Sequence, residues 1–256
     1  MNLFQSIQQA QQELANVVPA TPLTENLNLS EEFGATILLK REDLQVVRSY
    51  KIRGAYNKIK SLTESEKTNG IVCASAGNHA QGVAYSCHLL QIQGKIYMPK
   101  TTPNQKVKQV QLFGKKWVEI VLTGDTFDDA YAKAVADAKD NQKAFIHPFD
   151  DEKVIAGQGT VGLEIVEQCQ QPIDYVFVPI GGGGLASGLS TVFKHLSPNT
   201  KIIGVEPQGA PSMKTSIANQ ANTPLDTIDK FVDGAAVKQV GNQTFAICQK
   251  NLDDII

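Results

Sequence analysis

Apolar residues recur at steps of three and four at Phe4, Ile7, Ala10, Leu14 and Val17, which predicts one amphipathic helix at the start of the chain. Pro19 and Pro22 close it. From Ala35 onward, short apolar and β-branched runs alternate with longer amphipathic stretches. The runs predict strands over Ala35–Leu39, Gly70–Ala74, Lys95–Met98, Trp117–Leu122, Lys143–Ile146, Ile173–Ile180 and Lys201–Glu206. Helices fit between most of them: Arg53–Leu62, Asn78–Leu90, Asn104–Phe113, Phe127–Asp140, Val154–Gln170 and Gly184–His195. Alternating βα units with continuous apolar strands predict an α/β fold of parallel sheets covered on both faces. One sheet or two would fit the strand count. A turn cluster at Pro148-Phe149-Asp150, just before a long helix, predicts a boundary there.

Composition narrows the function classes. With 256 residues, 42% apolar and 20% charged, the chain is long enough for one or two domains with a sizeable core. A net charge of −2 forces no strongly basic face, so nucleic acid is not an expected partner. Apolar runs such as Val176–Ile180 are far too short to span a bilayer, and Met1–Gln5 has no basic leader. A cytoplasmic protein is the simplest expectation. Cys73, Cys87, Cys169 and Cys248 lie far apart without a CxxC pair, which argues against a zinc site and predicts four buried free thiols.

In open parallel sheets, ligands bind where strands lead into helix N-termini, and three such junctions carry unusual residues. Gly181-Gly182-Gly183-Gly184 follows one apolar strand and enters a helix at Leu185. Bare backbone N–H groups and the helix dipole make this a natural phosphate cradle. The plainer alternative is a tight turn, but one glycine suffices for that, and each extra one costs about 1 kcal/mol. Gly181, Gly183 and Ala186 also satisfy a loose G-x-G-x-x-G/A dinucleotide pattern. Glu206 stands roughly where a ribose-binding acid would, so at this junction an NAD-dependent oxidoreductase stays open. The second junction, Ser75-Ala76-Gly77-Asn78-His79, is another anion-receptive helix start, with Ser75 or Asn78 as plain N-caps in the alternative reading. The third is Lys51 in Ser49-Tyr50-Lys51-Ile52-Arg53-Gly54. Most lysines are solvated surface charges, but this one opens a helix beside apolar neighbours, where protonation is disfavoured and an amine nucleophile is favoured.

Taken together, Leu39–Gln45, SYKIRGAY at Ser49–Tyr56, ASAGNHAQGVA at Ala74–Ala84, PFDDEKVIAGQGT at Pro148–Thr160 and PIGGGGLASG at Pro179–Gly188 resemble the pyridoxal-phosphate enzymes of the tryptophan synthase β-like fold, most closely the biosynthetic threonine dehydratases. The resemblance runs along essentially the whole chain. It implies two βα domains: residues 1–50 and 149–256 as a larger, phosphate-binding domain incomplete at its C-terminus, and 51–148 as a smaller mobile one. It implies that Lys51 carries pyridoxal 5′-phosphate and serves as base, and that Asn78 meets the cofactor's ring hydroxyl. Gly181, Gly182, Gly183, Gly184 and Leu185 would cradle the phosphate, and Ser75, Ala76, Gly77, Asn78 and His79 would hold the substrate carboxylate.

The implied reaction converts L-threonine to 2-oxobutanoate and ammonia, the first step of isoleucine biosynthesis, in a cytoplasmic homo-oligomer. L-serine would give pyruvate. Related serine or hydroxyaspartate dehydratases and an inactive fragment are the alternatives. Ala76 stands where serine racemases of this fold place a serine, which favours elimination over racemisation. Tyr50 replaces the usual phenylalanine and is expected to need a polar partner for its hydroxyl. Asp253–Ile256 reads as the approach to a strand left unfinished, ahead of family segments that would line the active site and face the ring nitrogen.

Overall fold

The computed structural model describes all residues, Met1–Ile256. The first helix, α1 (Leu3–Leu14), is capped by Asn2 and buries Ile7, Ala10 and Leu14. Strand β1 (Leu23–Glu25), helix α2 (Leu27–Phe33) and strand β2 (Leu38–Lys40) then form a small appendage in which β1 and β2 pair antiparallel. The predicted strand Ala35–Leu39 is thus shifted to Leu38–Lys40 and lies outside the parallel sheets. Leu38 and Leu39 stay partly exposed, while Leu23 packs against the core of the second sheet and Lys40 pairs with Glu164 of the long helix that follows the first sheet.

Helices α3 (Lys51–Lys60) and α4 (Glu64–Asn69) lead into β3 (Ile71–Ala74), α5 (Asn78–Leu90), β4 (Gly94–Met98), α6 (Asn104–Gly114), β5 (Val118–Leu122), α7 (Phe127–Asp140) and β6 (Ala144–Phe145). Their strands form one parallel sheet in the order β5-β4-β3-β6. Ala55 and Ile59 of α3, Val83 and Cys87 of α5 and Val110 of α6 cover one face, and Ala130 and Ala134 of α7 pack on the other. Every residue of β3 is buried, as its unbroken apolar run requires.

The long helix α8 (Glu152–Gln168) precedes β7 (Tyr175–Pro179), α9 (Gly184–Leu196), β8 (Lys201–Val205), α10 (Ser212–Ala218), α11 (Asn242–Asn251) and β9 (Asp254–Ile255). A second parallel sheet has the order β7-β8-β9. The expected unfinished strand near Asp253 is therefore present as β9, paired with β8 through Ile203 and Gly204. Coverage on both faces does not hold here. Val178 is buried, but Tyr175 and Phe177, on the other face of the pleat, are 60% and 61% exposed.

Close helix crossings join the two sheets. A Cβ on Gly54 of α3 would lie 2.7 Å from the Val154 carbonyl of α8, and one on Gly188 of α9 would lie 2.5 Å from the Ile155 carbonyl. So α8 runs in near backbone contact with the helices that begin at Lys51 and at Gly184. All four cysteines are free, but Cys169, expected to be buried, is only half-buried at the end of α8 and donates to the Gln171 carbonyl. No cluster of metal-ligating side chains forms, and no helix is long and apolar enough to cross a membrane.

Candidate active site

Lys51 is the first residue of α3, and its Nζ donates to the Pro148 carbonyl at 2.9 Å. Burial lowers the amine from 10.5 to about 8 by desolvation, where its place at a helix start alone would suggest the dipole. The Tyr50 ring centroid lies 5.4 Å from Nζ. The Tyr50 hydroxyl, expected to need a polar partner, makes no hydrogen bond to protein. Burial pushes it up to about 12, so it stays protonated. Between pH 8 and 10.5 the folded state binds fewer protons at Lys51 than the unfolded chain does. This residue's contribution to stability therefore rises across that window, and its burial cost is fully present below pH 8. Acylation of Lys51, followed by peptide mass spectrometry against pH, is expected to show a midpoint about 8. A midpoint near the ordinary 10.5 would refute a buried amine.

The tetraglycine loop sits at the end of the second sheet. Gly183 has φ +92° and is the N-cap of α9. The N–H groups of Gly181 to Gly184 and of Leu185 donate to no protein acceptor, while the Gly182 carbonyl is held by the Thr244 hydroxyl at 2.6 Å. A Cβ on Gly182 would lie 2.1 Å from the Phe149 ring, and one on Gly184 would lie 3.1 Å from Phe149 Cα. These glycines let the cradle close on Phe149. Gly182→Ala must push that ring aside, at a cost of typically about 1–3 kcal/mol. It is expected to weaken pyridoxal phosphate binding in a fluorescence titration, and unchanged affinity would show that the loop does not hold the phosphate.

At the third junction neither Ser75 nor Asn78 acts as the N-cap of α5. Gly77 occupies that position, and the Ser75 hydroxyl accepts from the Gly77 N–H at 3.2 Å. The N–H groups of Ala76, Asn78 and His79 are unpaired, and the exposed Asn78 side chain has no protein partner. The His79 side chain points elsewhere: it is buried, and its Nε2 lies 2.9 Å from the Ile146 carbonyl. Burial, and then the neighbouring Lys51 charge, lower it to about 3, so only its backbone faces the junction as a neutral residue. One turn on, a Cβ at Gly82 would lie 3.0 Å from the Lys51 carbonyl, so α5 rests on the lysine's own backbone.

All three junctions therefore meet on one turn, Ile146–Asp150. Ile146 binds His79, Pro148 binds Lys51, and Phe149 packs on Gly182 and Gly184. The Asp150 carboxylate accepts the N–H groups of Asn242, Gln243 and Thr244, capping the helix whose Thr244 holds Gly182. In the sequence this turn reads only as a boundary and a matching stretch. Its signal was present in PFDD, but the contacts that give it meaning lie nearly a hundred residues away in both directions.

Unpaired amides at a helix start, glycines that admit close approach, a buried amine of lowered basicity and the buried, unpartnered Ser49 hydroxyl two residues before it suit a phosphorylated carbonyl cofactor. The profile of the pyridoxal-phosphate dependent enzymes matches residues 14–256. The chain belongs to that family. It is 59% identical over 247 residues to the biosynthetic L-threonine dehydratase IlvA of Halalkalibacterium halodurans, covering 96% of this chain and 60% of that one. Its counterpart in Bacillus subtilis is 54% identical, with 98% and 59% covered. The chain thus spans about three fifths of the length of these relatives. Among solved structures, the processed threonine deaminase isoform 2 of Solanum lycopersicum superposes with a TM-score of 0.95 at 44% identity, covering 99% of this chain and 73% of that one.

The nicotinamide alternative also loses its acid. Both carboxylate oxygens of Glu206 accept N–H groups of α10, from Met213 and Lys214 at 2.8 Å each. Burial raises this carboxyl despite those bonds, and both oxygens are engaged in capping α10.

Proposed function

We propose that this pyridoxal-phosphate dependent enzyme dehydrates L-threonine to 2-oxobutanoate and ammonia. The convergence of Lys51, the tetraglycine cradle and the Ser75–His79 loop on one turn carries this reading. The family cofactor, when bound, supplies an electron sink that makes the α-proton of an amino acid removable. In this assignment Lys51 holds the cofactor, and the amides of Gly181, Gly182, Gly183, Gly184 and Leu185 take its phosphate. Asn78 meets its ring hydroxyl. The unpaired N–H groups of the Ser75–His79 loop take the substrate carboxylate.

An amine with a pKa of about 8 is partly neutral at physiological pH, which suits Lys51 to accept the α-proton. The Pro148 carbonyl provides a hydrogen bond for the amine whenever it is free. Ala76 carries no group able to deliver a proton, which supports elimination rather than racemisation. Residues 51–148 are assigned to a smaller mobile body closing on residues 1–50 and 149–256. We further assign the enzyme to the cytoplasm as a homo-oligomer. Free thiols, three of them buried, agree with a reducing compartment, and sedimentation would test the assembly.

Borohydride reduction of the chain with pyridoxal phosphate, followed by peptide mapping, is expected to label Lys51, and label on another lysine would overturn the assignment. Comparing 2-oxobutanoate from threonine with pyruvate from serine tests the substrate. A strong serine preference would move the reading to a serine dehydratase.

A further inference from the structure

His147 lies at the centre of the turn that joins the three parts of the site, and the reaction as proposed gives it no task. Its Nδ1 accepts two backbone N–H groups, from Asp150 at 2.7 Å and from Phe149 at 3.3 Å. A nitrogen that accepts must be unprotonated, so the ring's proton sits on Nε2. The ring also meets Phe149 edge to face, with centroids 4.7 Å apart and planes at 89°. Phe145 is 6.2 Å away, its ring tilted at 57°. One side chain thus grips Phe149 by its backbone and by its ring. It grips Asp150 by its backbone and sits directly before the carbonyl of Pro148.

Each of these neighbours faces a different piece of the site. Pro148 O receives the Lys51 amine, Phe149 fills the space beside Gly182 and Gly184, and Asp150 caps the helix that holds Gly182 through Thr244. Folding the chain back on an imidazole nitrogen fixes all three at once, as an asparagine does when it accepts the amides that follow it in a turn. We propose that His147 is a positioning residue. Its Nδ1 holds the Ile146–Asp150 turn so that the Lys51 amine and the phosphate cradle keep the spacing one cofactor molecule requires. The proposal rests on the assignment of Lys51 as the lysine that binds pyridoxal phosphate.

The test uses the whole 256-residue chain and three variants. His147→Phe keeps an aromatic ring against Phe149 and removes the acceptor. His147→Asn replaces the acceptor with a side-chain oxygen at similar reach. His147→Gln, whose oxygen lies one methylene further out, serves in place of the Phe variant should that one fail to fold. For each, pyridoxal phosphate is titrated and trapped on Lys51 with borohydride, Lys51 acylation is followed in cofactor-free protein, and the thermal midpoint is recorded.

Removal of the acceptor is expected to raise the half-saturating cofactor concentration about tenfold or more, the effect of losing one to two net hydrogen bonds. Acylation of Lys51 should change with it, and His147→Asn should return both to within about threefold of the parent. Parent-like binding in His147→Phe would overturn the proposal. So would an Asn variant as impaired as the Phe variant, or binding losses that merely follow the thermal midpoint. Trapped cofactor on a different lysine in the parent chain would instead defeat the Lys51 assignment, an outcome readable before any variant is made.

Discussion

Lys51→Ala is expected to abolish borohydride trapping of pyridoxal phosphate and to lower 2-oxobutanoate formation by roughly 10²- to 10⁴-fold, the range for losing a positioned base. The expectation follows from place and charge together. The amine is held at Pro148 O within 3 Å, on a backbone wedged between α5 at Gly82 and α8 through Gly54. Its pKa of about 8 leaves a usable neutral fraction where a surface lysine has almost none. Lys51→Arg should be as inactive as the alanine variant, because a guanidinium keeps its proton at any working pH. Lys58, on the same helix but paired with Asp151 at 2.7 Å, is the matched control, and Lys58→Ala should retain trapping at Lys51. Trapping that survives Lys51→Ala would remove the basis of the proposed function.

Arg53→Met is expected to cost about 3–5 kcal/mol of stability, the penalty for breaking a buried ion pair by deleting one partner. Arg53 is 1% exposed. Its guanidinium makes paired contacts to Glu42, both at 2.8 Å, and reaches the two oxygens of Glu164 at 2.6 and 2.9 Å. Thr160 accepts a further N–H. Lys40 joins the network at Glu164, so two cations balance two carboxylates in a largely buried site. Removing Arg53 leaves one net negative charge with several unmet acceptors. Arg53→Lys should recover only part of the loss, since an ammonium cannot satisfy two carboxylates in the plane of a guanidinium fork. Urea unfolding followed by circular dichroism measures the change, and a loss below about 1 kcal/mol would show that the network is solvated rather than buried.

The structure makes both residues legible in a way that periodicity alone could not. Six helices and six strands of the βα succession were visible along the chain because apolar spacing is set locally by backbone geometry. The helices Asn78–Leu90 and Phe127–Asp140 begin and end where the pattern ends. The pieces missed carry too short or too weak an apolar pattern to register: β1, with three residues, α2 and the polar helix α4, which have no buried residue, and α10 and α11, whose buried positions are mostly polar or cysteine. The exposed aromatics of β7 were misassigned because an unbroken apolar run is the same string whether one face or both are covered.

For the site, the residue types at each strand-to-helix junction were enough to nominate Lys51, the tetraglycine loop and the Ser75–His79 loop, since amides, glycine and amine chemistry belong to those residues wherever they sit. Sequence alone thus determined the α/β class, the anion-receptive loops and the candidate lysine. Three things were decided only in three dimensions: that the junctions meet on the Ile146–Asp150 turn, that His79 faces the core and that Glu206 is committed to a helix cap. The first two depend on contacts between distant segments, and the third on how the chain folds back between Glu206 and α10. The depressed basicity of Lys51 likewise arises from burial by those segments, which no local pattern encodes.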